Sequence, residues 1–236
     1  METQLSFFGS PKRRTTATIW PRREAPSVVT YFAILPPDEI HVAMIQLRQE
    51  TVARERIFGR AVAPERLHLS LAPLLRRRAA DGSAQAIEPL ADQIASRVTM
   101  SAFDVVFDRI QTFNTKDRDE TQRRYYLVLD GADLPGLMRL NDLYRRSLIR
   151  CGLGAAMPKP FNPHLTLFYA NRPIAPRAIP PIRWRVRDVA LVQSVHGSGR
   201  CEIVKRWPLT RSGPLPQRVH RSFSEGGDWG RAEGEG

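Results

Sequence analysis

Two short strings constrain this chain more than anything else in it: Leu67-His68-Leu69-Ser70-Leu71 and Pro163-His164-Leu165-Thr166-Leu167. Each sets a histidine two residues before a hydroxyl side chain, with apolar residues between and after. Successive side chains of an extended strand point to opposite faces. His68 therefore shares a face with Ser70, and His164 with Thr166, while Leu67, Leu69, Leu71, Leu165 and Leu167 turn into a core. Taken singly, either histidine reads as an ordinary strand residue satisfied by backbone or water. As a pair they point to a cleft with a histidine on either side of a phosphate.

The order of elements around the strings is itself duplicated. Val28–Leu35 is a β-branched and aromatic run stopped by Pro36-Pro37, hence a buried strand. Asp38 is positioned to cap a helix whose apolar positions are Ile40, Met44, Ile45, Leu47 and Val52. The first histidine strand, Arg66–Ala72, follows, and then a helix over Ala84–Val98. Ala102–Phe113 and Tyr125–Leu129 read as strands, and Leu134–Ile149 as a third helix ending near Cys151-Gly152. The second histidine strand is His164–Tyr169. Trp184–Val195 and Glu202–Trp207 close the domain, joined by a turn at His196-Gly197-Ser198-Gly199. The chain thus repeats strand, helix, histidine strand. Adjacent strands with occasional helices predict an α+β fold with antiparallel pairing, and no glycine-rich phosphate loop supports a doubly wound sheet.

With 42% apolar and 25% charged residues, the chain has enough apolar material for a proper core. Its net charge of +12 favours anionic partners such as nucleic acid or nucleotides, although Arg outnumbers Lys 32 to 4, a bias that genomic base composition also produces. Cys151 and Cys201 are too few for a disulfide framework and lack metal-ligand spacing, so a reducing, cytoplasmic setting is expected. There is no apolar core of a secretory signal and no stretch that would span a membrane. Residues 1–26 read as a disordered basic arm, 27–209 as one two-lobed domain, and 210–236 as a disordered tail. Nothing reads as an interface stripe, so a monomer without an obligate protein partner is expected.

Together these residues resemble the two-histidine phosphoesterase superfamily, and within it the RNA 2',3'-cyclic phosphodiesterases also called 2'-5' RNA ligases. That family carries two copies of His-x-(Thr/Ser)-x, matched by His68-Leu69-Ser70-Leu71 and His164-Leu165-Thr166-Leu167. The opening strand YFAILPPDEI, the segment FDRIQTF, NPHLTL and the closing LVQS and RWPL are also similar, so the resemblance covers about residues 29–209. It implies two antiparallel-sheet lobes related by a pseudo-twofold, with the motif strands facing each other across a central cleft. Two departures stand out. Ser70 occupies the place of the commoner Thr, and Tyr169 stands where some relatives carry Arg, the nearest being Arg172.

The resemblance also implies a chemistry: hydrolysis of RNA or nucleotide 2',3'-cyclic phosphates to 2'-phosphomonoesters, with no metal and no cofactor. His68 is the implied general acid and His164 the implied general base, and Ser70 and Thr166 donate to the phosphoryl oxygens. Histidine suits both proton roles, because its ordinary pKa lies near neutrality. Arg66 faces the same side as His68 and is a candidate phosphate contact. Tyr169, Ser194 and His196 are further substrate-contact candidates, with aromatic stacking on a base in view for Phe32 and Tyr169. Core packing is the commoner role for Phe32. His41 is expected at the surface, His220 in the tail, and Arg76-Arg77-Arg78 in a solvated loop. Substrate choice is assigned to loops 73–83, 114–123 and 171–181. The competing reading is a non-catalytic RNA- or nucleotide-binding module on the same fold.

Overall fold

The computed structural model describes residues 27–78, 87–114, 125–153, 160–195 and 201–210. The arm 1–26, nearly all of the tail 210–236, and the His196-Gly197-Ser198-Gly199 turn lie outside the described residues. In chain order the elements are β1 (Ser27–Ile34), α1 (Asp38–Glu55), β2 (Gly59–Ala61), β3 (Leu69–Arg78), α2 (Ile87–Ala95) and β4 (Phe103–Asn114). They continue with β5 (Tyr125–Asp130), α3 (Pro135–Arg150), β6 (Leu165–Ala170), β7 (Arg177–Val186), β8 (Asp188–Val195) and β9 (Cys201–Pro208).

All the described strand pairs are antiparallel. The sheet has nine strands in the order β7-β4-β5-β6-β3-β1-β8-β9, with β2 added on β6. It reads as two halves, β9-β8-β1-β3 and β6-β5-β4-β7, joined at the centre by one ladder pair, Leu69 with Leu165. The expected duplication is present: β1-α1-β3 and β5-α3-β6 each place a helix between two strands that then pair. The anticipated lobes are therefore halves of one continuous sheet, fused along the two motif strands.

The helices bind the halves together. α1 packs on β6 and β7 of the other half, and α3 packs on β3 and β4. Arg177 on β7 donates to the hydroxyl of the fully buried Thr51 on α1 at 3.1 Å. Asn141 on α3 donates to the carbonyl of Leu71, in the first motif strand, at 2.7 Å. The core beneath collects Leu67, Leu69, Leu71, Leu165 and Leu167, all buried as strand alternation requires, with Phe32, Phe107, Leu137 and Tyr144. Phe32 is wholly enclosed against Tyr144 and Trp207, so it packs the core and has no face free for a base.

Several expectations are corrected. Pro37, not Asp38, is the N-cap of α1, and Asp38 adds its charge in the first turn. The run Trp184–Val195 is two strands, broken at Arg187, and the first reaches back to Arg177 through Pro180-Pro181. Those prolines are tolerated because β7 is a sheet edge. β2 was not anticipated, being only three residues long. Arg76, Arg77 and Arg78 belong to β3 and not to a loop. His41 is mostly covered, its side chain 15% exposed beside Asp38. The C-terminus of α3 is as expected: Gly152 takes a positive φ of 77°, and Leu153 and Gly152 donate back to Leu148 and Ile149.

Candidate active site

The seam between the halves builds the site. Leu69 and Leu165 stand opposite each other, both fully buried, and anchor the two motif strands in register. Residues flanking such a pair face one another on the opposite side of the sheet. That register sets His68 beside Thr166 and Ser70 beside His164, all on the face away from the helices. His68, His164 and Thr166 are half-buried there, and Ser70 is exposed. The nearness of the two imidazoles is felt electrostatically, since a charge on His164 disfavours one on His68.

Each histidine is held by the same local device. His68 Nδ1 lies 2.8 Å from the carbonyl oxygen of Arg66, and His164 Nδ1 lies 2.8 Å from that of Asn162. A carbonyl only accepts, so in each ring the proton of the neutral form sits on Nδ1 and the lone pair on Nε2. The rings are further fixed by aromatic neighbours. Phe113 meets His164 edge-on at 5.1 Å, and Tyr31 lies tilted against His68 at 5.2 Å.

The two Nε2 atoms differ in what they meet. That of His68 accepts a hydrogen bond from the Tyr31 phenol at 3.1 Å, and the same phenol oxygen is 4.0 Å from Cys201 Sγ. Burial lowers the pKa of His68. The bond to the Arg66 carbonyl opposes that shift, and the charges of Arg66 and His164 add to it. Burial, with Cys201 beside it, pushes the Tyr31 phenol far above the ordinary tyrosine range. Tyr31 was not singled out in the sequence. Its position in a buried apolar strand reads as packing, and it is the pairing of β1 with β3, Ala33 opposite Ser70, that puts the ring on the face of His68.

The other candidates are dispersed. Arg66 is half-buried beside His68, with its guanidinium close enough to affect both His68 and Tyr31. Tyr169 is half-buried on β6, edge-on to Tyr126 at 5.6 Å, with the guanidinium of Arg60 over its ring at 5.4 Å. Ser194 sits in β8 between Val29 and Cys201. His196 lies outside the described residues. Arg172 donates to the carbonyl of Glu55 at the end of α1. Two open cavities are lined by residues that neighbour the histidines. One of about 520 Å³ is lined by Arg66, Gln193 and Cys201, and one of about 410 Å³ by Phe113, Tyr125 and Asn162. Among the described residues no group of three His, Cys, Asp or Glu side chains is arranged to hold a metal ion, and no helix is long and apolar enough to cross a membrane.

Two imidazoles and two hydroxyls on one face form a set suited to gripping a tetrahedral oxyanion and moving protons at two of its oxygens. Known proteins show the family and the fold. A family model described as the 2'-5' RNA ligase superfamily matches residues 36–198. The crystal structure of E. coli LigT complexed with phosphate is 27% identical, covers 79% of this chain and 99% of its own, and superposes with a TM-score of 0.57. The same protein complexed with NADP+ gives 28% identity, 79% and 99% coverage and a TM-score of 0.58. TT0787 of Thermus thermophilus shares the fold at 19% identity, with 78% and 100% coverage and a TM-score of 0.60. No curated protein matches the chain.

Proposed function

The chain belongs to the 2'-5' RNA ligase superfamily, and from that premise we propose that it opens the 2',3'-cyclic phosphate of RNA ends or nucleotides by water, leaving a 2'-phosphomonoester. The observation that carries the reading is the pair of Nδ1-anchored histidines, one from each half, meeting two hydroxyls across the Leu69–Leu165 seam.

The chemistry follows from the groups present. His164 takes a proton from water on its Nε2 as the water oxygen bonds to phosphorus. His68, in its protonated form, gives the proton on Nε2 to O3' of the ribose as the P–O3' bond breaks. Attacking and leaving oxygens lie opposite each other in an in-line displacement, which two histidines on separate strands serve better than one. Ser70 and Thr166 donate to the non-bridging oxygens as charge gathers on them. Arg66 adds positive charge on the His68 side. The two cavities give room for a nucleoside near the phosphate. With an RNA 5'-hydroxyl in place of water, the same groups would join ends through a 2'-5' linkage. Water is far more abundant, so hydrolysis is the proposed activity.

The decisive experiment is incubation with a nucleoside 2',3'-cyclic phosphate in excess EDTA, followed by phosphorus NMR of the product. Appearance of the 2'-phosphate supports the proposal. Binding without turnover would instead mark a nucleotide-binding module, and turnover abolished by EDTA would overturn the metal-free mechanism.

A further inference from the structure

The duplicated units agree in one more residue than the motif itself. Ala33 on β1 is the ladder partner of Ser70, and Val128 on β5 is the partner of Thr166. Two residues before each partner stands a tyrosine, Tyr31 in one half and Tyr126 in the other. The two phenols have diverged in use. Tyr126 leans on Tyr169, whereas Tyr31 reaches Nε2 of His68.

That bond has a fixed direction. The Arg66 carbonyl claims the proton of Nδ1, so Nε2 accepts and Tyr31 donates. While it does so, His68 has no lone pair or proton to offer a substrate. An oxygen hydrogen-bonded to Nε2 would sit about 3 Å from it, and the Tyr31 oxygen is already 3.1 Å from the same nitrogen. The phenol oxygen is thus within hydrogen-bonding reach of the substrate oxygens that would gather there. Its ring is buried and packed against His68, but rotation about the C–O bond moves only the hydroxyl proton. The groups around the phenol and His68 are Arg66 before β3, His164 and Tyr169 on and beside β6, and Cys201 on β9. None of them is a carboxylate that would take the phenol's proton.

We propose that Tyr31 is a third hydroxyl of the phosphate site, one that caps Nε2 of His68 while the groove is empty and turns onto a phosphoryl oxygen when a phosphate enters. The role rests on the proposed phosphate chemistry of the groove. Because burial keeps the phenol protonated, it acts as a donor and not as a proton carrier.

Tyr31→Phe tests this, with inorganic phosphate as the binding probe, nitrogen NMR of the histidine side chains, and steady-state kinetics on a cyclic nucleotide. In the free variant the Nε2 resonance of His68 moves downfield toward that of an unbonded imine nitrogen, while that of His164 stays in place. Phosphate binding weakens about five- to tenfold, as befits one lost donor, and kcat/KM falls about tenfold. A well-folded Tyr31→Phe with unchanged phosphate affinity and kcat/KM overturns the inference, even if the wild type is active. A wild type that binds phosphate through Tyr31 yet turns over no cyclic nucleotide overturns the enzymatic reading and leaves the phosphate contact standing. If the variant is unstable, the wild type decides: adding inorganic phosphate must move the His68 Nε2 resonance as the Tyr31 bond is given up, and a resonance unchanged at saturating phosphate overturns the inference.

Discussion

At the scale of the residue, burial holds His68 below the usual imidazole range, so it stays neutral in the folded chain at pH values where a solvated histidine is half-charged. Between the two pKa values the unfolded chain binds more protons than the folded one. Stability therefore rises with pH through that window and levels off above about 6.5. Denaturant melts at pH 5 and 7 should show wild type weaker at pH 5, with a smaller difference for His68→Gln. For activity, His68→Ala and His164→Ala are each expected to cut turnover by ~10²–10⁴-fold with circular dichroism unchanged. Ser70→Ala and Thr166→Ala should cost ~10–10³-fold, the loss of one donor to the phosphoryl group. Near-normal hydrolysis by either histidine variant would falsify the mechanism. The motif quartet was legible in the sequence because strand alternation alone decides which side chains share a face. The anchoring carbonyls of Arg66 and Asn162, and the place of Tyr31 beside His68, were not. They depend on the path of the chain just before a strand and on which strands pair, which no alternation pattern reports.

At the scale of the element, the strand–helix–strand repeat was readable from periodicity and from Pro36-Pro37, yet its packing was not. α1 carries its apolar residues without a clean stripe, and the face it buries, Met44, Leu47 and Thr51, includes a polar residue bonded by Arg177 of the opposite half. Short β2 also left little trace, although Gly59 marks it. There φ is +152° and an added Cβ would collide with the Tyr169 carbonyl. Gly59→Ala should cost about 2–4 kcal/mol in a urea titration, by strain and by loss of the β2–β6 pairing that supports Arg60 over Tyr169. Asn141→Leu should cost about 1–3 kcal/mol, since it strands the buried carbonyl of Leu71. Because that carbonyl belongs to the first motif strand, the variant should also lose activity, while a solvent-facing change on α3 such as Met138→Gln should not.

At the scale of the whole molecule, the net charge of +12 exceeds what a single phosphate needs. Affinity for an RNA bearing a terminal cyclic phosphate should fall with salt more steeply than affinity for the mononucleotide, by a slope of about 0.7 for each additional phosphate contacted. Equal slopes would assign the charge to composition alone. The exchange of helices between halves sets a further expectation. With α1 under β6 and β7, and α3 under β3 and β4, neither half has a finished core of its own. Fluorescence and circular dichroism should therefore report a single coincident unfolding transition. The same exchange limits how a ligand gets in. Two jaws hinged at the Leu69–Leu165 pair could gape only by dragging each helix off the opposing jaw, so the groove behaves as a fixed mould. Its scattering profile should be the same with and without bound nucleotide, and entry is left to loops and rotating side chains at the rim.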